Sequence, residues 1–393
     1  MFDLSAVQAA IREAGFDGWL LYDFRGINLL AQRVADVNPK LSRRWFYFVP
    51  ASGEPKKLVH AIEPSSLDHL PGANKTMYRK WQDLEAGVGS LVSGANRVAM
   101  EYSERNANPY IGRVDAGTIE LVTSFGCTVV ASGDLIQQFE AVWDADQEKS
   151  HFEAAKLCRD AYDVAFDFIA SEIKARGSVM ETVVQARIMK HFADSGMTTY
   201  SPPIVGVGPH SGDPHFDTAN ATDAPIQRGS FVLIDLWAKM IRPRAVYADY
   251  TRVAYVGDTV PEQYTKVFNI VAAARDAGIK KVKDTFAIGK PLLGWEVDDA
   301  TRAVIEDAGF GAFFTHRTGH NIGQEVHGNG AHIDGLETRE DRRIIPRTCF
   351  SIEPGIYLPE FGVRSEVDVY IDAASKVHVT GGEPQTEVHR IVA

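Results

Sequence analysis

The chain has 393 residues, of which 45% are hydrophobic and 24% are charged, as in an ordinary soluble globular protein. This length is sufficient for two domains. The net charge of −11 at pH 7 argues against nucleic acid or an anionic membrane surface as the main partner. No apolar run is long enough to span a bilayer.

Cysteine usage and the N-terminal sequence predict a cytoplasmic protein. The three cysteines, Cys127, Cys158 and Cys349, have no paired spacing, which favours reduced, structural thiols. The N-terminus contains acidic residues and an amphipathic spacing instead of a basic region followed by an apolar core. It therefore does not resemble a signal peptide.

Residues 1–145 predict a separate α/β domain. Leu4–Ala14 has helical spacing, and Gly15 is a plausible stop. GWLLYD indicates a short buried strand, and WFYFVPASGEPKKLVHAI indicates a hairpin. RVAME, TIELVTS and CTVVAS predict further strands, and no residues here have a catalytic spacing.

The second predicted domain, 146–393, begins with a long helix that ends at Gly177. Ser178 and Glu181 form a capping-box pattern, which predicts the start of the next helix. Further helices are predicted from Pro261 and in LGWEVDDATRAVIEDAGF. The glycines of SPPIVGVGPHSGDPH have the wrong spacing and context for a dinucleotide-binding fingerprint.

The stretch 231–257 predicts two strands joined by a turn. Asp235 shares a face of the first strand with apolar residues, and Asp249 does so on the second. If the hairpin folds about Arg242, beside Pro243, the two aspartates lie opposite each other. Two carboxylates on an apolar sheet repel and lose hydration, so they should not both stay ionised. A cation between them removes that problem.

The C-terminal stretch FSIEPGIYLPEFGVRSEVDVYI repeats this pattern. One predicted strand carries Glu353 and the other Glu366, with a tight connection around Pro359 and Gly362. On both halves of the domain, helices precede a segment with carboxylates, which indicates an internal duplication.

The segment HRTGHNIGQEVHG lies between the two hairpins and contains His316, His320 and His327. Four carboxylates and a histidine are enough ligands for two hard metal ions that share bridging carboxylates.

These residues carry a resemblance to a known superfamily. Pita-bread metallopeptidases have a similar ligand series, here Asp235, Asp249, His320, Glu353 and Glu366. The superfamily includes methionine aminopeptidase, Xaa-Pro aminopeptidase, Xaa-Pro dipeptidase (prolidase) and creatinase. LIDLWA, YADYTR, HRTGHNIGQEVHG, SIEPGIY and GVRSEVDV resemble the proline-specific branch. The likeness covers roughly the C-terminal two-thirds of the chain.

The resemblance implies an α+β fold with a C-terminal pita-bread catalytic domain, 146–393. It also implies a smaller creatinase-like α/β domain, 1–145, and a homodimer. In the family the N-terminal domain can cap the active site. Arg43, Arg44 and Trp45 are candidates for such a cap, and an exposed strand start is the alternative.

The implied activity is that of a dimetal exopeptidase hydrolysing the Xaa-Pro bond of dipeptides or peptide N-termini. Mn²⁺ is the expected metal, with Co²⁺ or Zn²⁺ as alternatives, because carboxylates with one imidazole suit them better than copper or iron–sulfur clusters. A bridging water, acidified to hydroxide, would attack the peptide carbonyl. Glu353 would be both a ligand and the proton shuttle to the leaving nitrogen.

Four further residues receive roles from the resemblance. His327 would donate to the developing oxyanion, and His215 and His316 would line the substrate pocket. Arg339 would grip the free C-terminus of a dipeptide, because a guanidinium binds a carboxylate through two parallel hydrogen bonds. Arg342 and Arg343 are close in sequence, so either could take this role in place of Arg339. The alternative is that these arginines form a solvated run of charges without a binding role.

One departure from the family pattern affects substrate range. The segment between Asp235 and Asp249 is long and basic, and WAK replaces the small glycine-containing turn. An extended tip of this kind could reach the pocket or a neighbouring subunit. Two other functions are considered: a creatinase-like hydrolase of a small non-peptide C–N bond, and a non-catalytic binding protein. Such members have lost metal ligands, whereas all five positions are present here.

Overall fold

The computed structural model describes residues 2–38 and 40–393. They divide into two compact units, Met1–Ala141 and Val142–Ala393. The first unit contains α1 (Leu4–Glu13), β1 (Gly18–Asp23), α2 (Leu29–Ala35), β2 (Trp45–Pro50), β3 (Lys56–His60), β4 (Asn74–Tyr78), α3 (Trp81–Val92), β5 (Arg97–Met100), α4 (Ala116–Thr123), β6 (Thr128–Ala131) and α5 (Gly133–Glu140).

The first unit is a mixed six-stranded sheet in the order β4-β3-β2-β1-β5-β6, with apolar cores built on it. The predicted strand at 18–23 and the following antiparallel hairpin, β2–β3, are confirmed. Trp45 is fully buried at the start of β2, so it is neither an exposed cap nor an exposed strand start.

The predicted strand TIELVTS is wrong, because this segment forms helix α4. Asp115 caps its first turn by accepting a hydrogen bond from the Thr118 N–H at 2.9 Å. The Thr118 hydroxyl also donates to Asp115 at 2.8 Å. This local capping favours a helix over the strand that the β-branched residues indicate.

The second unit begins with a long helix, as predicted. Its elements are α6 (Ala145–Arg176), β7 (Ser178–Met180), α7 (Glu181–Asp194), β8 (Met197–Thr198), β9 (Ile204–Val207), β10 (Pro225–Gln227), β11 (Phe231–Met240), β12 (Ala248–Val256), α8 (Glu262–Ala287), α9 (Gly294–Asp307), β13 (Asn321–Ile322), β14 (Cys349–Ile352), β15 (Gly355–Tyr357), β16 (Gly362–Arg364), β17 (Val367–Ile371), β18 (Val377–Val379) and β19 (His389–Ile391).

Two sheets form the centre of the second unit. One has the order β19-β12-β11-β8, with β9 also paired to β11, and the other has the order β13-β14-β17-β18. Helices α6 and α7 share an apolar core with the first sheet. Helices α8 and α9 share apolar cores with segments of both halves.

The predicted capping box at Ser178 is wrong. Ser178 lies in strand β7, and helix α7 begins only at Glu181. The buried Glu181 carboxylate instead accepts hydrogen bonds from the N–H groups of Val207 and Ala224, at 2.8 and 3.1 Å. A long-range contact therefore replaces the local cap.

The β11–β12 hairpin forms as predicted, but its register differs. Asp235 pairs with Thr251, and Asp249 pairs with Trp237. The two aspartates are therefore diagonal neighbours on one face of the sheet and are not directly opposite.

The basic hairpin tip packs on the start of α6. Arg242 forms an ion pair with Glu153 at 2.8 Å, and Arg244 forms one with Asp144 at 2.9 Å. These contacts place the turn one residue further along the chain than predicted. They also hold the tip against its own domain.

The C-terminal hairpin is interrupted. Glu353 lies between β14 and β15, and Glu366 lies between β16 and β17, so neither is inside a strand. The pairs on both sides of the break keep one register, so that Glu353 faces Glu366 across it. Pro354, which has no N–H to donate to a ladder, follows Glu353 directly.

Candidate metal centre and active site

The five predicted ligands converge in the second unit. Asp249, His320 and Glu366 offer ligand atoms that lie within 4.8 Å of one another. His320 Nε2 is 3.5 Å from Asp249 Oδ2 and 3.4 Å from Glu353 Oε1. Asp235 contacts the guanidinium of Arg364, whose Nε is 4.0 Å from Glu353 Oε2.

Backbone contacts hold the histidine segment against the second hairpin. The His320 N–H donates to Ser351 Oγ at 3.0 Å, and the Ser351 N–H donates to the His320 carbonyl at 2.9 Å. Gly319 makes this approach possible, because a Cβ there would lie 2.0 Å from the Ser351 carbonyl oxygen. The Glu353 N–H also donates to the Thr318 carbonyl at 2.8 Å.

Burial and mutual repulsion disfavour ionisation of the four carboxylates. Burial, followed by repulsion from neighbouring acids, raises the pKa values of Asp249 and Glu366 well above the ordinary range. Burial raises the pKa of Asp235, although the adjacent Arg364 opposes this shift. Burial raises the pKa of Glu353 to about 7 and depresses the pKa of His320.

The donor set fits divalent metal ions. Within the described residues, Asp235 Oδ1 and Asp249 Oδ1 are buried without a hydrogen-bond partner. Such oxygens are costly unless a cation or a donor compensates them. Carboxylate oxygens with one imidazole nitrogen are suitable ligands for Mn²⁺, Co²⁺ or Zn²⁺.

Arg364 and Tyr357 adjoin the cluster and were not singled out from the sequence. Besides contacting Asp235, Arg364 donates from Nε to Thr251 Oγ1 at 2.9 Å and from Nη1 to the Tyr357 hydroxyl at 3.0 Å. The Thr251 hydroxyl donates to Glu366 Oε2 at 2.7 Å. A single arginine thus contacts carboxylate-bearing segments of both hairpins. An arginine in an otherwise apolar strand was the available signal.

The three predicted pocket histidines differ in exposure. His327 is exposed, and its ring centroid lies 4.1 Å from that of His320. His316 is half-buried, with Nε2 2.7 Å from the Tyr357 hydroxyl, and burial lowers its pKa to about 3. His215 is exposed, and the carbonyl of the preceding residue, Pro214, accepts a hydrogen bond from Arg364 Nη1 at 3.2 Å. All three therefore lie near the carboxylate cluster.

Arg339 is held elsewhere. Its exposed guanidinium is 3.2 Å from Asp341 Oδ1 and lies over the Trp295 ring, at 4.7 Å from the centroid. Arg342, considered as its alternative, is buried and bonded to Glu340 and to the Asn329 carbonyl. The structure does not bring Arg339 together with the five predicted ligands.

A family model described as metallopeptidase family M24 matches residues 149–373. The match covers more than half of the chain, which therefore belongs to metallopeptidase family M24. The resemblance stated from the sequence motifs is confirmed.

Curated relatives carry dipeptidase names. The chain is 25% identical over 380 residues to the probable dipeptidase PepE of Mycobacterium bovis, covering 96% of this chain and 93% of that protein. It is 29% identical over 257 residues to the putative dipeptidase YkvY of Bacillus subtilis, covering 65% and 64%. It is 28% identical over 207 residues to the Xaa-Pro dipeptidase of Lactobacillus delbrueckii subsp. lactis, covering 52% and 50%.

Solved structures of similar fold span nearly the whole chain. Dipeptidase PepE from Mycobacterium ulcerans superposes with a TM-score of 0.72 at 23% identity, covering 99% of this chain and 97% of that one. The prolidase from Pyrococcus horikoshii OT3 gives 0.63 at 19% identity, covering 98% and 99%. The predicted pita-bread fold is therefore confirmed. Across the described residues, no helix combines the length and apolarity needed to cross a bilayer.

Proposed function

We propose that the protein is a dimetal exopeptidase that hydrolyses the Xaa-Pro bond of dipeptides or of peptide N-termini. The observation that carries this proposal is the buried convergence of Asp249, His320 and Glu366, with Glu353 3.4 Å from the same histidine. Membership of family M24 supports a metal-dependent peptidase. The relative named Xaa-Pro dipeptidase supports the proline preference.

The five convergent side chains would hold two divalent ions, with Mn²⁺ as the expected metal. When bound, such ions polarise the scissile carbonyl and lower the pKa of water to near neutrality. The ligands would be Asp235, Asp249, His320, Glu353 and Glu366. Their raised carboxylate pKa values are consistent with a site that is completed by cations.

Glu353 is assigned the proton transfer from the attacking water to the leaving nitrogen. Its side chain is 14% exposed, compared with 5% for that of Asp249, so it can face both the ligand cluster and a bound substrate. His327, exposed beside His320, would hydrogen-bond the oxyanion that develops on the scissile carbonyl.

Substrate orientation is assigned to His215 and His316, which lie near the carboxylate cluster. Proline fits such a site because a metal centre that binds the free amine and the carbonyl does not need the missing N–H. Binding of a dipeptide C-terminus by Arg339 stays a prediction. Its guanidinium would first have to leave Asp341, an exposed ion pair of the kind that contributes only about 0.2–1 kcal/mol. The homodimer and the cytoplasmic location also stay predictions.

The decisive assay uses metal-depleted protein supplied with Mn²⁺, Co²⁺ or Zn²⁺. Xaa-Pro dipeptides, Xaa-Pro tripeptides and creatine are compared as substrates. We expect cleavage of the Xaa-Pro bond only after metal is added. Full activity without bound metal would refute the proposal, and turnover of creatine alone would favour the creatinase-like alternative.

Variants of two arginines test whether the enzyme recognises the free C-terminus of dipeptides, which tripeptides present further from the scissile bond. If Arg339 binds the free carboxylate, Arg339→Gln should raise KM for dipeptides and leave KM for tripeptides unchanged. Arg343→Gln, in the same charge run, is the matched control. If only Arg343→Gln raised KM for dipeptides, Arg343 and not Arg339 would bind the free carboxylate.

A further inference from the structure

The edge of β12 that faces the second hairpin is joined to it by individual hydrogen bonds. The Glu366 N–H donates to the Thr251 carbonyl at 3.2 Å. Two residues earlier, the Asp249 N–H donates to Asp368 Oδ2 at 3.0 Å. A side-chain carboxylate from the other half of the domain thus accepts the backbone N–H of a proposed metal ligand.

Asp368 is fully buried on β17, opposite Ser351 and two residues after Glu366. Among the described residues, its Oδ1 has no hydrogen-bond partner. A buried carboxylate with one vacant oxygen is costly to maintain. Its Oδ2 accepts the Asp249 N–H and lies 4.0 Å from His151 Nε2, so the acid stands between a proposed ligand and a buried polar network.

A series of hydrogen bonds between buried polar groups surrounds the Asp249–Asp368 contact. His151, on α6, donates from Nδ1 to the Tyr247 carbonyl at 2.8 Å. Its Nε2 therefore accepts from the Thr380 hydroxyl, also at 2.8 Å, and the Tyr250 hydroxyl lies 2.8 Å from Thr380 Oγ1. The Thr380 N–H donates to the Asp368 carbonyl at 3.0 Å. Both strands that meet at the Asp249–Asp368 bond are thereby tied to one helix.

We propose that Asp368 is a positioning residue for the metal centre. By accepting the Asp249 N–H, it sets how far the Asp249 carboxylate projects towards His320 and Glu366. The inference rests on the proposed role of Asp249 as a ligand. Metal sites require their ligands within about 0.5 Å of the productive geometry. Loss of a partner that orients a ligand typically lowers metal affinity by about 10–100-fold.

The test measures Mn²⁺ affinity by competition with a chelator and thermal unfolding of the metal-free protein. Asp368→Leu fills the space and leaves the Asp249 N–H without its acceptor, so we expect affinity to fall by about 10–100-fold. Asp368→Asn keeps an oxygen acceptor and should remain within about threefold of the parent, since the contact to Asp249 is preserved. Tyr370→Phe, on the same strand, is the matched control and should bind Mn²⁺ normally.

Unchanged affinity in Asp368→Leu would overturn the positioning role. Equal losses in Asp368→Leu and Asp368→Asn would also overturn it, because the charge and not the acceptor would then be required. Asp368→Ala removes the acceptor without adding apolar volume and gives the same comparison if the leucine variant does not fold. Asp249→Asn distinguishes the two hypotheses: unchanged affinity in that variant would refute the ligand assignment itself.

Discussion

The two hairpins that supply the carboxylates differ in construction. The β11–β12 ladder runs through eight consecutive pairs and carries Asp235 and Asp249 as diagonal neighbours. The second hairpin breaks where Glu353 faces Glu366. In the first hairpin the continuous ladder fixes which positions lie beside each other, and Asp368 accepts the Asp249 N–H from outside the ladder. In the second, the freed N–H groups of Glu353 and Glu366 bond to other segments, so the break connects the site to its surroundings.

Removing one carboxylate from each hairpin should produce the largest effect. We expect Glu353→Gln to lower kcat/KM by about 10³-fold, within the range for loss of a proton-transfer group. Asp249→Asn should lower kcat/KM at least as much, because it removes a proposed metal ligand. Asp249→Asn should also lose metal, whereas Glu353→Gln should retain more of it. Mass spectrometry of bound metal alongside kinetics measures both. A fully active Glu353→Gln variant would show that the break has no catalytic role.

Arg364 is the side chain by which the second hairpin reaches Asp235 on the first. Arg364→Met leaves the buried Asp235 without its cation, so we expect a loss of about 3 kcal/mol in the free energy of unfolding. Denaturant unfolding measures this. Arg364→Lys keeps the charge but loses the planar fork, and should fall between the parent and Arg364→Met. Equal stability of all three proteins would contradict the coupling of the hairpins through this residue.

His151 contacts the Tyr247 carbonyl in the first hairpin and the hydroxyl of Thr380, which follows strand β18 beside the second hairpin. Burial lowers its pKa from 6.5 to about 4. Because the folded-state pKa lies below the unfolded one, this group's contribution is complete above pH 6.5 and is lost as the pH falls towards 4. The full loss is about 3 kcal/mol. Unfolding free energies measured from pH 7 to 4 should show it.

His151→Gln should flatten that pH dependence, and His191→Gln, at a half-buried site on α7, is the control. The same slope in the His151→Gln variant and the parent would assign the acid sensitivity to other groups.

The smallest predicted effect is at Thr251, whose hydroxyl accepts from Arg364 and donates to Glu366. Thr251→Val keeps the shape and removes both bonds, which we expect to cost about 1 kcal/mol in unfolding free energy. Thr285→Val, whose hydroxyl bonds only within α8, is the comparison. If Thr251→Val and Thr285→Val lower the free energy of unfolding by the same amount, the Thr251 hydroxyl does not contribute to joining the hairpins.

The convergence of the five acidic and histidine positions could be anticipated from the sequence because each lies in a local motif that resembles the family pattern, and their role as metal ligands stays a prediction. The hairpin register could not, since Arg242 and Arg244 fix the turn through ion pairs with α6. The break at Glu353 has a local signal in Pro354, which has no N–H to donate to a ladder.

Residues defined only by distant partners escaped prediction. Arg364 gave no periodic signal, and its importance depends on Asp235, Thr251 and Tyr357, which are brought together only by the fold. Glu181 was interpreted as part of a cap because its true partners lie 26 and 43 residues away.

The break in the second hairpin has a consequence for biosynthesis. Glu366, one of its two facing acids, is the last of the five convergent residues in the chain and bonds through its N–H to the Thr251 carbonyl. Under the proposed function, a growing polypeptide has no complete hydrolytic centre until Glu366 has left the ribosome. The nascent chain is thus inert towards cellular peptides until the last of the five convergent residues has been added and folded into place.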